Sequence, residues 1–275
     1  MNDYSQQTIG NKNSLNCNHL LLTPGECNFS GWKNDIFSIA KLLRDTANSD
    51  GNLLEKINAR RVSPTKSAGS EMSKGRKMSN NWLWCLDAAK LAATSVLDLS
   101  FSSHPELKSF RPHFITVSFY KMFGYPTGLG ALLIRRDVEP ILRKSYYGGG
   151  TLAAAAADSM FEARKVDSMH EYMEDGTPNY YAIAALPRCF EFINSIGGME
   201  TIQERTFQLT KILAQCMAAL QHSNGQPLCT LYGWGSDATT ETQGPVVAFN
   251  LRSRNGNAIG RFHIFFNRRS SSITR

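Results

Sequence analysis

The stretch from His113 to Arg136, H-F-I-T-V-S-F-Y-K-M-F-G-Y-P-T-G-L-G-A-L-L-I-R-R, constrains this chain more than any other. A β-rich run, Phe114 to Phe119, leads to a single lysine, Lys121. A loop punctuated by glycine and proline follows, then a second apolar run from Ala131 to Ile134. This pattern places Lys121 at a strand end facing a turn. Apolar residues on both sides predict partial burial, which removes water from an ammonium and favours the nucleophilic amine. A solvated lysine in a β-turn is the alternative reading of the stretch taken alone.

A second segment, Asn81 to Ser100, supplies a partner. Its run Trp82 to Leu86 reads as a buried strand with Asp87 at the carboxyl end. Ligands of open α/β sheets bind beyond the carboxyl ends of the strands, so Asp87 and Lys121, 34 residues apart, are placed to meet over one crevice. A carboxylate to keep a pyridine nitrogen protonated and a lysine to carry an aldehyde are the two groups a pyridoxal phosphate site needs.

Several strings then carry a family resemblance: D-A-A-K at Asp87 to Lys90, S-F-Y-K-M-F-G-Y-P-T-G-L-G-A-L-L at Ser118 to Leu133, and Y-G-G-G-T at Tyr147 to Thr151. To these are added E-D-G-T at Glu174 to Thr177, C-N-F-S-G at Cys27 to Gly31 and G-P-V-V-A-F-N-L at Gly244 to Leu251. Together they resemble the amino-terminal, cysteine-desulfurase-like domain of the molybdenum cofactor sulfurases, in the class V aminotransferase group. The resemblance implies an α/β fold: the large domain of a fold-type I pyridoxal phosphate enzyme with a mostly parallel sheet, plus part of a small α+β domain. It implies that Lys121 binds the cofactor and that Asp87 holds the ring nitrogen. Asn28 would lie near the ring oxygen and the substrate carboxylate, although an asparagine in a turn is more often a local backbone cap. Ser118 would donate to the cofactor phosphate. Lys90 stands where related desulfurases carry a glutamine on the ring oxygen, and either takes that contact or points to solvent. Tyr120 replaces a desulfurase histidine, a departure typical of the sulfurase branch. Gly150 and Thr151 belong to a loop whose N–H groups can converge on an anion. In the resembling fold that loop reaches the phosphate of the other subunit, which implies a homodimer.

The activity so implied is transfer of sulfur from L-cysteine, leaving L-alanine, to the molybdenum cofactor of xanthine dehydrogenase and aldehyde oxidase. The family's persulfide cysteine belongs to a segment past the end of this sequence, and after Gly260 the family pattern stops. The first phosphate-binding loop and ring-stacking histidine region are likewise missing. A truncated, catalytically inactive isoform or subunit is therefore the alternative to an enzyme, with another class V enzyme as a third reading. Cys229 is the weakest candidate for a substitute nucleophile.

The remaining features frame this reading. With 42% hydrophobic and 19% charged residues, the chain is not a wholly disordered one. No apolar run is long enough for a spanning helix and the first residues are polar, so the expectation is a cytoplasmic protein that does not engage a membrane. Six scattered cysteines without a C-x-x-C pair predict free thiols and no zinc site. The net charge of +7 is concentrated in residues 60–78 and 261–275, so the rest is mildly acidic and a nucleic-acid partner is not indicated. The organisation expected is a disordered start over 1–19, a cofactor-binding portion over 20–180 with a polar insert at 48–80, helices and part of a small domain over 181–260, and an unrelated basic tail over 261–275. Helices are predicted over Asp35 to Ala47, Leu152 to Ala157, Tyr180 to Ile196 with a kink at Pro187, and Glu200 to Leu220, whose stripe Ile202, Leu209, Ile212, Leu213, Cys216, Met217 and Leu220 is expected to pack in the core.

Overall fold

The computed structural model describes residues 19–47, 82–124, 128–159 and 161–260. The start up to residue 18, the insert at 48–80 and the tail at 261–275 lie outside the described residues. Four strands, β1 (His19–Pro24), β2 (Trp82–Asp87), β3 (Phe114–Ser118) and β4 (Gly130–Ile134), lie side by side in that order. The β1–β2 and β2–β3 pairs are parallel and β3–β4 is antiparallel, giving the α/β architecture with a mostly parallel sheet.

Residues directly opposite one another in a ladder share a face. One face carries Leu21, Trp84, Leu86, Ile115 and Val117, and here helix α1 (Ile36–Ala47) packs with Ala40, Leu42 and Leu43. Asp35 starts α1 by accepting from Phe37 N at 3.0 Å and from Ser38 Oγ at 2.6 Å. Trp84 is wholly buried, and its indole N–H is satisfied by Thr23 Oγ1 at 2.7 Å. The register puts Leu20, Leu22, Leu83, Cys85, Asp87, Phe114, Thr116, Ser118, Leu132 and Ile134 on the opposite face. That face is much more open, with Leu22 67% and Leu132 50% exposed.

Beyond β4, Arg136–Ile141 forms a short 3-10 turn. Leu152–Ala155 is a strand, β5, paired antiparallel with β6 (Glu162–Arg164), and not the helix its alanines suggest. So short a run gains little from helix propensity because nucleation is costly, and the ladder decides its state. The short helices α2 (Leu91–Thr94) and α3 (Phe119–Phe123) follow β2 and β3, and α4 (Met169–Met173) precedes α5 (Tyr180–Ser195), which Asn179 caps by accepting from Ala182 N at 3.2 Å. α5 runs through Pro187. In α6 (Gly198–Ala219) the expected packing stripe is corrected: Leu209, Ile212, Leu213, Cys216 and Leu220 are exposed, and the buried positions are Phe207, Thr210 and Ala214. Towards the carboxyl end, β7 (Cys229–Tyr232) pairs antiparallel with β8 (Ala248–Leu251) in a separate two-stranded sheet.

Candidate functional site

Parallel pairing brings the carboxyl ends of β2 and β3 together. Asp87 is exposed there, and its Oδ1 accepts from Ala89 N at 3.0 Å and from Thr116 Oγ1 on β3 at 3.3 Å. Its carbonyl accepts from Gly25 N at 2.7 Å, and Ala88 N donates to Thr116 O at 3.0 Å. The carboxylate is thus fixed at the rim of the open sheet face. Ser118 ends β3 on that same face and leads directly into the one-turn helix α3. Lys121 lies within α3, one turn past Ser118, and is exposed. This corrects two expectations, since Lys121 is neither at a strand end nor partly buried: the chain turns helical straight after Ser118, and Gly124 closes the turn at φ +65° by donating its N–H to Tyr120 O. An apolar cavity of about 190 Å³ lies between α3 and α5, walled by Phe119, Phe123, Tyr181 and Leu186.

Asn28 occupies an exposed turn between Cys27 and Gly31. Gly31 N donates to Cys27 O at 2.9 Å, and Gly31 itself takes φ +74°, a backbone region that favours glycine. The buried side chain of Gln243 donates to Ser30 O at 2.8 Å and ties this turn to the carboxyl-terminal segment. Hydrogen bonds from Ser30 and Phe29 hold the Cys27 thiol below the ordinary range of a cysteine. Lys90 sits at the start of α2 and is mostly buried; its Nζ lies 3.5 Å from Glu26 Oε1. It is therefore ion-paired, a disposition outside the two considered from sequence.

The Y-G-G-G-T loop already holds an anion of its own. Asp175 Oδ1 accepts from Gly148 N at 3.2 Å, from Thr151 Oγ1 at 3.3 Å and from the Lys144 ammonium. Gly150 N donates to Asp175 O at 2.9 Å, and Thr151 is fully buried. The glycines are needed because a methyl group at Gly148 or Gly150 would collide with the backbone carbonyls of 174–176. The structure thus sets Asp87 and Ser118 at adjacent strand ends with Lys121 on the helical turn after Ser118, and among the described residues no hydrogen bond joins the glycine-rich loop to any of the three. Cys229 is buried, with its thiol donating to Met217 O at 3.0 Å, which leaves it no approach as a nucleophile.

Sequence reasoning missed Glu26, Lys33 and Gln243, all buried. Their only sequence signal is their position within or beside the matched strings. Chemically, an exposed carboxylate and a hydroxyl at adjacent strand ends, with an exposed amine on the helical turn that follows, suit pyridoxal phosphate, and among the described residues no metal-binding cluster occurs.

The aminotransferase class-V family profile matches residues 81–262. A molybdenum cofactor sulfurase of Anopheles gambiae is 45% identical over 182 residues, 64% of this chain and 22% of that protein. Those of Arabidopsis thaliana and Homo sapiens are 34% and 33% identical over 89% and 88% of this chain, and 26% and 23% of theirs. Among solved structures, a cysteine desulfurase from Thermococcus onnurineus superposes with a TM-score of 0.54 at 17% identity, over 93% of this chain and 48% of that one. One from Escherichia coli gives 0.53 at 14%, over 85% and 43%. The chain thus spans about a quarter of the length of these curated relatives, and its fold is that of the desulfurases.

Proposed function

Because the chain belongs to the class-V aminotransferase family, we propose that it is the cofactor-binding part of a pyridoxal phosphate enzyme that takes sulfur from L-cysteine and passes it to the molybdenum cofactor. The sulfurases it resembles support the substrate and the acceptor. Xanthine dehydrogenase and aldehyde oxidase are the proposed recipients, a homodimer the proposed assembly, and the cytosol the proposed compartment. No helix among the described residues is long and apolar enough to cross a membrane.

The observation that carries this reading is the placement of Asp87 and Ser118 on one face at adjacent parallel strand ends, with Lys121 a helical turn beyond. Bound pyridoxal phosphate supplies an aldehyde and an electron-withdrawing ring. Asp87, oriented by Ala89 N and Thr116 Oγ1, would hold a proton at the ring nitrogen. Ser118 would bind the phosphate through its hydroxyl, and the Lys121 amine would tie the aldehyde to the chain.

Titration of the purified chain with pyridoxal phosphate, followed by visible absorbance and by mass spectrometry after borohydride reduction, tests this. A visible band and a pyridoxyl group on Lys121 are expected, both lost in Lys121→Ala. Asp87→Asn should weaken binding about ten- to a hundredfold, the worth of one charge-assisted hydrogen bond. A chain that gains no band, or a Lys121→Ala variant that keeps it, overturns the reading.

A further inference from the structure

Glu26 is a carboxylate that the proposed chemistry does not use, yet it is placed at a junction. It follows Gly25 at the end of β1, and its side chain is wholly shielded from solvent. Among the described residues its Oε1 accepts no hydrogen bond and faces the Lys90 ammonium at 3.5 Å, while Oε2 accepts from Thr94 Oγ1 at 3.4 Å. Lys90 and Thr94 bracket α2, the helical turn that directly follows Asp87. On its other side the carboxylate lies against Gly244, where any side chain would overlap it, and Gly244 N donates to Gly31 O at 2.7 Å, closing the Asn28 turn. Lys33, also buried, bridges to Glu26 through the backbone and donates from Nζ to Thr240 O at 2.5 Å. A carboxylate buried with so few partners is expensive, and breaking such a pair strands its partner charge.

We propose that Glu26 is a positioning residue which, through Lys90 and Thr94 on one side and Gly244 on the other, fixes the Asp87 turn and the Asn28 turn relative to each other. The inference rests on the reading above, in which these two turns hold the cofactor ring. It makes Glu26 and Lys90 one unit, so the loss of either should release both turns.

Hydrogen exchange on the full chain without cofactor, in the wild type and in Glu26→Gln, Lys90→Met and the double variant, tests the coupling directly. Reduced protection is expected at both 27–31 and 88–91 in each single variant, with the double variant no worse than either single. With pyridoxal phosphate added, affinity should fall about tenfold, typical for loss of a supporting partner, and the visible circular dichroism of the bound cofactor should change. Additive effects, loosening of one turn only, or a lowered melting temperature with unchanged affinity and dichroism would overturn the proposal. Should Glu26→Gln fail to fold, Lys90→Met alone decides, because release of the Asn28 turn by a change on α2 requires the link through Glu26. A wild-type chain that binds no pyridoxal phosphate defeats the functional reading and leaves the exchange data to decide this one.

Discussion

His113 directly precedes β3, at the end remote from Ser118, and links the stability of the sheet to pH. Its Nδ1 accepts from Trp84 N at 3.0 Å, and its backbone N–H donates to Trp84 O at 2.8 Å. Burial, helped by the nearby Arg135 and opposed by Asp137, lowers its pKa to about 4. The unfolded chain therefore binds a proton that the folded one refuses between about pH 6.5 and 4, so stability contributed by the neutral ring is complete above that window and lost as pH falls through it. The loss amounts to at most about 3 kcal/mol. In His113→Asn the amide oxygen can still accept from Trp84 N without titrating, and urea unfolding across pH 4 to 6.5 should show a flatter profile than the wild type. Identical slopes would disprove the assignment. At this scale the sequence was informative for Asp87 and Ser118, because a short apolar run announces its own carboxyl end. It was silent on Glu26 and Gln243, because burial of a polar side chain depends on segments more than 200 residues away in the chain, as Gln243 bonding Ser30 illustrates.

Elements were legible where a local pattern and a tertiary partner agree. α1, β2 and β3 follow their apolar patterns, since each buries one face against the same core, and β4 forms by pairing with β3. β5 and the exposed stripe of α6 did not follow theirs, because pairing with β6 and the absence of a facing element among the described residues are facts of tertiary context. In the glycine-rich loop, expected from sequence to bind phosphate, Gly148 N and Thr151 Oγ1 donate to the chain's own Asp175. The fit is close enough that Gly148→Ala should destabilise the protein by about 1–3 kcal/mol, the usual cost of forcing an extra methyl into a packed site. Since Gly148 has an extended backbone at φ −123°, the methyl group and not backbone strain would be responsible. Gly149, which meets nothing within 4 Å, supplies the control: Gly149→Ala should be nearly neutral in the same denaturation experiment, and equal losses at the two positions would refute the packing account.

Across the whole molecule, the sheet is packed on one side and open on the side that carries Asp87 and Ser118. Parallel strands are normally covered on both faces. Aromatic and aliphatic residues on α5 and α6 are exposed as well, Tyr181, Phe192 and Ile212 among them. Stability should then depend on one face alone. Leu86, wholly buried beneath α1, should cost about 2–5 kcal/mol when cut to alanine. Leu22, on the neighbouring strand but facing the other way, should change stability by no more than about 0.5 kcal/mol when replaced by serine. The same Leu22→Ser change should lower the fluorescence of an environment-sensitive hydrophobic dye bound to the native chain, whereas Leu86→Ala should raise it by loosening the core. Comparable destabilisation by the two changes would mean that the open face is buried in solution, and dye fluorescence that falls on raising the protein concentration would identify self-association as the cause.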